Sequence, residues 1–349
     1  MKKPVHYILW KTQPGGAESL VTAYIEHFSK TREQYLYSLR PSENELSSLP
    51  ELHFQAGYEK NLDCYRAYFR YCRQHRDGVF HLVNAGPVVL LLTLLAGVRQ
   101  PVYHIHGTKY WKSARERIYL KTAWLLCGLF PFRVVANSAH SAAVFRKRVL
   151  RKKLNIVYNG FDVDSFLAKR HRRTELRRLA YIGRFHTGKN VDLTIRLFNE
   201  IAGQQPQLEL HLAGTGNLLG ALEAQAAESP FRDRIKFHGW VQDMAAFYTG
   251  ADLFIFPSAH ESFGNVVLEA LLTGLPVLAS NIPAFDEIHG GDPAFSLGDP
   301  ANYAEARERF LTGVAHFPEL AEKAYALGGQ LGPQFSMEKH LAGIGRMYD

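Results

Sequence analysis

The sequence predicts an α/β protein built from two parallel-sheet lobes. Three observations carry this reading. At 349 residues the chain is long for one ordinary domain and sufficient for two, each with its own core. Short apolar runs alternate with longer amphipathic ones, the pattern of strands separated by crossover helices. That alternation breaks at Tyr158-Asn159-Gly160 and at a charged stretch, Lys169 to Arg178, before a second series begins.

In the first series, His6 to Trp10 reads as a strand, followed by a helix over Glu18 to Phe28. Val79 to Val83 and the helical Val88 to Ala96 repeat the unit. Further strands are expected at Val102 to Ile105, Arg133 to Ala136 and Leu154 to Val157. The second series opens at Leu179 to Ile182 and continues with Leu208 to Leu212, Ile235 to Phe237, Leu253 to Phe256 and Pro276 to Ala279. Val191 to Ile201, Leu218 to Ala227 and Asn265 to Leu272 carry apolar residues at helical spacing between them. The expected division is a first lobe over 1–168, a second over 169–334, and a terminal helix, 335–349, packing back on the first.

Composition narrows the setting. Cys64, Cys72 and Cys127 form no CxxC pair and fit a reducing compartment better than a disulfide framework. The apolar run Val88 to Val98 is about half the length of a membrane span. A cytoplasmic protein is expected, held peripherally at the inner face of the membrane. Residues 96–178 hold 19 Lys or Arg against four acids, so this stretch carries +15 of the net +8 and leaves −7 elsewhere. Such a surface suits an anionic lipid, a phosphorylated acceptor or nucleic acid. Arg115 to Phe132, cationic first and apolar later, fits an interfacial membrane element or a partly buried core helix, with Arg146-Lys-Arg148 and Arg151-Lys-Lys153 nearby. No nucleic-acid module accompanies the charge, and nucleic acid is not expected as a partner.

Open parallel sheets bind ligands beyond the carboxyl ends of their strands. The segment Phe256-Pro-Ser-Ala-His-Glu-Ser-Phe-Gly-Asn-Val-Val-Leu-Glu lies at such a place, with Glu261 and Glu269 on either side of a helix start. Backbone N–H groups at Gly264, Asn265 and Val266 suit a phosphate or sugar hydroxyls, Glu269 suits a ribose diol, and Glu261 suits the hydroxyls of a sugar. Arg184 and Lys189, after the Leu179 to Ile182 strand, suit a diphosphate leaving group. Gly15-Gly16 after the first strand lets a ligand approach the backbone. Gly214-Thr-Gly216 lacks the spacing of a dinucleotide fingerprint. Asp162-Val-Asp164 is an acid pair that a metal would accept, though its place after Asn159-Gly160 marks it as a junction between lobes.

The run Glu261 to Glu269 followed by Ala270-Leu-Leu-Thr-Gly-Leu-Pro-Val-Leu-Ala-Ser resembles the Glu-x7-Glu signature of retaining glycosyltransferases of family 4, which have the GT-B fold. Gly15-Gly-Ala-Glu18, Asn137-Ser138, Val157-Tyr-Asn-Gly-Phe-Asp162, Gly183-Arg-Phe-His-Thr-Gly-Lys189, His211-Leu-Ala-Gly-Thr-Gly216 and Phe237-His-Gly-Trp-Val241 follow in the order of that family, with weakest coverage between Arg32 and Asp77. The resemblance implies two Rossmann-like lobes facing across a cleft. It implies transfer of a sugar from a nucleotide diphosphate sugar, a UDP-sugar first and a GDP-sugar second, to a hydroxyl of a glycan or lipid-linked acceptor in cell-surface polysaccharide or lipopolysaccharide synthesis. Neither cofactor nor metal is implied. Catalytic roles fall to Glu261, Arg184, Lys189 and His106. Donor contacts fall to Gly15, Gly16, Gly183, Gly214, Trp240, Val241, Phe263, Gly264, Asn265, Val266 and Glu269. Lys109, Tyr110, Asn137 and Ser138 lie on the acceptor side. A sugar-nucleotide epimerase or hydrolase is the alternative on the same fold, and a nucleic-acid-binding protein the non-enzymatic one.

Overall fold

The computed structural model describes residues 2–12, 16–40, 52–56, 60–106, 114–146 and 154–349. It divides into two units, 1–160 with 337–349, and 161–336. The first holds a seven-stranded parallel sheet in the order β3-β2-β1-β4-β5-β6-β7, formed by β1 Val5–Leu9, β2 Gln34–Ser38, β3 Leu52–Ala56, β4 Val79–Val83, β5 Gln100–Ile105, β6 Arg133–Ala136 and β7 Leu154–Ile156. Helices α1 Gly16–Phe28, α2 Asn61–Gln74, α3 Pro87–Leu95, α4 Ala114–Leu129 and α5 Ala139–Arg146 connect them. The order reverses between β1 and β4, which makes the carboxyl ends of those strands the expected ligand crevice.

The core of this unit is rich in ring hydroxyls and imidazoles, several of them held by hydrogen bonds. Tyr68 shares a 2.7 Å hydrogen bond with Thr93, and Tyr71 one of 2.7 Å with His6. Cys64 and Cys72 lie buried in the same layer, and the Cys64 thiol donates to the Leu39 carbonyl. Helix α4 is a partly buried core helix with an exposed apolar side. Ala123, Trp124, Leu126 and Cys127 are core residues, whereas Ile118, Leu125 and Leu129 are exposed.

The second unit repeats the plan with five parallel strands, order β10-β9-β8-β11-β12: β8 Arg178–Ile182, β9 Glu209–Ala213, β10 Ile235–Gly239, β11 Leu253–Phe256 and β12 Val277–Ala279. Its helices are α6 Val163–Leu167, α7 Val191–Ala202, α8 Leu219–Ala227, α9 Met244–Thr249, α10 Asn265–Leu272, α11 Pro283–His289, α12 Tyr303–Ala315 and α13 Phe317–Phe335. Helix α7 buries Val191, Thr194, Ile195, Phe198, Ile201 and Ala202 at helical spacing, and Leu193 and Leu197 widen the buried face.

The division falls at Gly160 rather than at 168. Asp162 accepts from the Ser165 N–H at the start of α6, and α6 packs on α10 and α13. An acid pair that spacing alone offered to a metal thus begins with a helix cap. The Lys169 to Arg178 bridge is likewise built into the second unit. Arg173 is buried with its guanidinium on the carbonyls of Tyr248, Ala251 and Thr273, and Arg170 lies 3.7 Å from the Tyr325 ring centroid. The basic run 96–178 is therefore shared between the two units.

The chain returns to the first unit at α14 Met337–Tyr348. Leu341, Ile344 and Tyr348 enter its core, Tyr24 shares a 2.7 Å hydrogen bond with His340, and the Tyr348 hydroxyl lies 2.6 Å from His81 Nδ1. His81 passes the connection on to His104 at 3.0 Å. If Tyr348 donates, both Nε2 atoms carry the protons, and the buried His104 Nε2 then ends the chain without a partner among the described residues.

Candidate functional site

The site in the second unit forms where β8 and β11 meet, the point at which its strand order reverses. After β8 the chain runs through Gly183 and Arg184 to a short 3-10 turn, Thr187–Lys189, and Asn190 then adopts a left-handed conformation, φ 50°, before α7. After β11 it runs through Ser258 to Glu261. Cross-links lock these loops together. The Asn190 amide donates to the Pro257 carbonyl at 2.9 Å, and the Ala259 N–H donates to the Gly188 carbonyl at 3.0 Å.

This stitching brings Lys189 against Glu261, 72 residues away, as an ion pair between Nζ and Oε1 with little of either side chain in solvent. The Ser258 hydroxyl donates to the same Oε1 at 3.1 Å, and Lys189 also lies 5.4 Å from the Phe256 ring centroid. Lys189 is thus fixed in place, whereas Arg184 is exposed and offers a cation at the edge.

Helix α10 begins beside Glu261 with no side-chain cap and no acid in its first turn, a helix end suited to negative charge. Gly264 precedes it at φ 102°, and a Cβ there would press within 2.6 Å of Phe285. Asn265 and Val266 form the first turn, while Phe263 is buried beneath it. One turn on, Glu269 accepts a 2.9 Å hydrogen bond from Tyr248, and burial pushes its carboxyl up to about 7. Trp240 is exposed beyond β10 with Val241 beside it, and neither is brought onto the Lys189–Glu261 pair by a contact among the described residues. Sequence reasoning missed Tyr248, Ser258 and Asn190, whose roles depend on long-range neighbours and leave no local signal.

The glycines serve packing as much as access. A Cβ on Gly214, at φ 135°, would overlap the Gly183 carbonyl oxygen, because the loops after β8 and β9 touch backbone to backbone. Gly214→Ala is expected to cost about 3 kcal/mol through overpacking and backbone strain, read as a lower urea midpoint. An unchanged midpoint would mean that the loops separate freely.

In the first unit His106 follows β5. Its backbone N–H donates to Asn84 Oδ1 at 2.8 Å, its ring lies 4.0 Å from that of His104, and its buried Nε2 has no partner among the described residues. Burial lowers its basicity to about 3. Ser138 accepts from the Ser141 N–H at 2.9 Å and so caps α5, and Asn137 is buried beside it. Gly16 opens α1. Gly15, Lys109 and Tyr110 lie outside the described residues. A cavity of about 640 Å³ elsewhere in the second unit, lined by Glu305, Arg309 and Lys323, shares none of these groups.

Residues 177–313 match the family model of glycosyl transferases group 1. The matched stretch contains Glu261 and Glu269, Arg184 and Lys189, and the glycine loops after β8 and β9. The chain is 29% identical over 179 residues to the GDP-mannose:cellobiosyl-diphosphopolyprenol alpha-mannosyltransferase of Xanthomonas campestris, covering 50% of this chain and 47% of that protein. It thus spans about half the length of that relative. Likeness to the putative glycosyltransferase EpsF of Bacillus subtilis is 24% over 313 residues, 80% of this chain and 79% of the relative. Among solved structures, HepE of Anabaena in complex with UDP superimposes with a TM-score of 0.80 at 18% identity, covering 98% of both chains. The fold is accordingly that of the GT-B glycosyltransferases.

Proposed function

We propose that the protein is a retaining glycosyltransferase of family 4 that moves a sugar from a nucleotide diphosphate sugar, UDP-linked first and GDP-linked second, to a hydroxyl of a glycan or lipid-linked acceptor in cell-surface polysaccharide synthesis. The observation that carries this reading is the fixed Lys189–Glu261 pair at the unguarded start of α10, with Glu269 one turn further on. As the bond from the anomeric carbon to the diphosphate breaks, Lys189 and Arg184 stabilise the charge gathering on the leaving phosphate. Glu261 holds the sugar hydroxyls, Glu269 the ribose diol, and the nucleobase lies against Trp240 and Val241. The acceptor oxygen attacks on the same face, and its proton passes to the departing phosphate. His106, neutral at pH 7, accepts or donates a hydrogen bond through Nε2. No metal takes part, because the two cations supply the positive charge.

A thermal-shift series with UDP, GDP, UDP-glucose and GDP-mannose tests the donor site. One nucleotide class is expected to raise the melting temperature, with or without chelator, and Glu269→Ala to abolish most of the rise. No rise with any nucleotide would refute the donor site, and a product of inverted anomeric configuration would refute retention.

Among the described residues no helix is long and apolar enough to cross a membrane. Arg66, Arg70 and Arg73 form an exposed stripe on α2, and Arg117 and Lys121 are exposed on α4. These cations support peripheral attachment to an anionic leaflet at the cytoplasmic side. Sedimentation with phosphatidylglycerol vesicles but not with neutral ones, reversed by salt, is expected; equal sedimentation with both would count against it.

A further inference from the structure

The ligand crevice of the first sheet, where β1 and β4 diverge, holds a cavity of about 350 Å³. That is near the small end of ligand clefts, about 300 to 1,000 Å³. Its walls are aromatic: Trp10 follows β1, Tyr65 comes from α2 and Tyr119 from α4. The Arg40 guanidinium lies 4.9 Å from the Trp10 ring centroid and holds the indole, which is 46% exposed. Asn84, forced to φ 49°, also lines the cavity, and its side chain carries the His106 backbone. The cavity therefore adjoins His106, one of the residues given a catalytic role in the proposed reaction.

The cavity is continuous with an apolar face. Val88 lines it and begins a stripe on α3, Val88, Leu91 and Leu95, exposed by 44, 42 and 66%. Helix α4 packs beside α3 and exposes Ile118, Leu125 and Leu129. Isolated exposed leucines are ordinary, whereas exposed apolar stripes on two helices that pack together call for a partner. The ligand that satisfies both halves has a ring with an apolar face and polar edges, suited to stacking on aromatics, joined to a hydrocarbon chain.

We propose that this cavity seats a sugar ring of the acceptor and that the α3–α4 face carries the acceptor's hydrocarbon chain, so the acceptor is a glycan on a lipid carrier. The assignment rests on the glycosyltransferase reading above and specifies its acceptor.

Calorimetric titration of the whole protein with methyl maltoside, dodecyl maltoside and dodecylphosphocholine, all below their micellar concentrations, tests it. Dodecyl maltoside is expected to bind at least tenfold more tightly than either of the others. Leu91→Ser with Leu95→Ser should remove the gain due to the chain. Trp10→Ala should weaken dodecyl maltoside about tenfold and leave dodecylphosphocholine unchanged. Gly86→Ala gives a second variant: its backbone, φ −78°, accepts alanine, but the added methyl would overlap the Tyr119 hydroxyl and displace that wall. It should weaken dodecyl maltoside likewise. Equal binding of dodecyl maltoside and dodecylphosphocholine, with no effect of Trp10→Ala or Gly86→Ala, would overturn the sugar seat. Equal binding of methyl and dodecyl maltoside would overturn the chain path. The nucleotide-induced thermal shift, measured on the same variants, separates this outcome from failure of the donor site, since it should persist in all of them.

Discussion

Lys189→Ala is expected to lower the turnover of the proposed sugar transfer about 10²- to 10³-fold at saturating donor, equivalent to about 3 to 4 kcal/mol of lost transition-state stabilisation. The expectation comes from placement. Lys189 is not a solvated surface charge: Glu261, the Phe256 ring and the cross-linked loops hold it at one point beside the start of α10. A cation already fixed where negative charge will develop needs no reorganisation when the bond breaks. The change should fall mainly on kcat, because the interaction strengthens as the leaving group separates. Lys323→Ala is the control, since that exposed ammonium pairs with Asp292 and is expected to change kcat less than twofold. Turnover by Lys189→Ala within threefold of the parent would remove Lys189 from the reaction.

Acid has a second large effect, centred on the buried imidazoles of the first unit. Burial lowers His81 to about 3 and His340 to about 4 against 6.5 for an exposed imidazole, and both stay neutral in the folded chain at pH 5. The unfolded chain takes up these protons below about pH 6.5, so stability is fully present above that pH and falls as pH drops toward the folded values. Each of the two should lose about 2 kcal/mol of stabilisation between pH 7 and pH 5. His6, lowered to about 3, adds to the same loss. Urea unfolding followed through the buried Trp124 should show the midpoint falling across this range, and His340→Gln should reduce the slope. A midpoint constant from pH 7 to pH 5 would show that the imidazoles do not govern this unit.

The same chemistry explains which parts of the fold could be read from the sequence. The second unit was legible because its strands and helices are apolar: β11, Leu253–Phe256, and α10, Asn265–Leu272, fall where the apolar runs place them. Between Arg32 and Asp77, β2, β3 and α2 escaped notice. Strand β2 buries Gln34 and Ser38, and α2 buries Tyr68 and Tyr71 through hydroxyls bonded to Thr93 and His6. A pattern search that weighs only apolar side chains discards such residues, although partnered hydroxyls pack a core as well. In the candidate site, the two acids and two cations were visible as motif residues. Their assembly was not, since the contact between Lys189 and Glu261 follows from β8 and β11 being neighbours in the sheet. The Tyr248 bond that holds Glu269 likewise exists only through packing.

The return of α14 to the first unit bears on how the chain matures during synthesis. The ribosome makes residues 337–349 after all of 161–336, yet their Leu341, Ile344 and Tyr348 complete the core around β1 and α1. Domains commonly finish in the order in which they emerge. Here the second unit, continuous in sequence, can close while the first still waits for its last helix, so the half translated earlier is the half completed later.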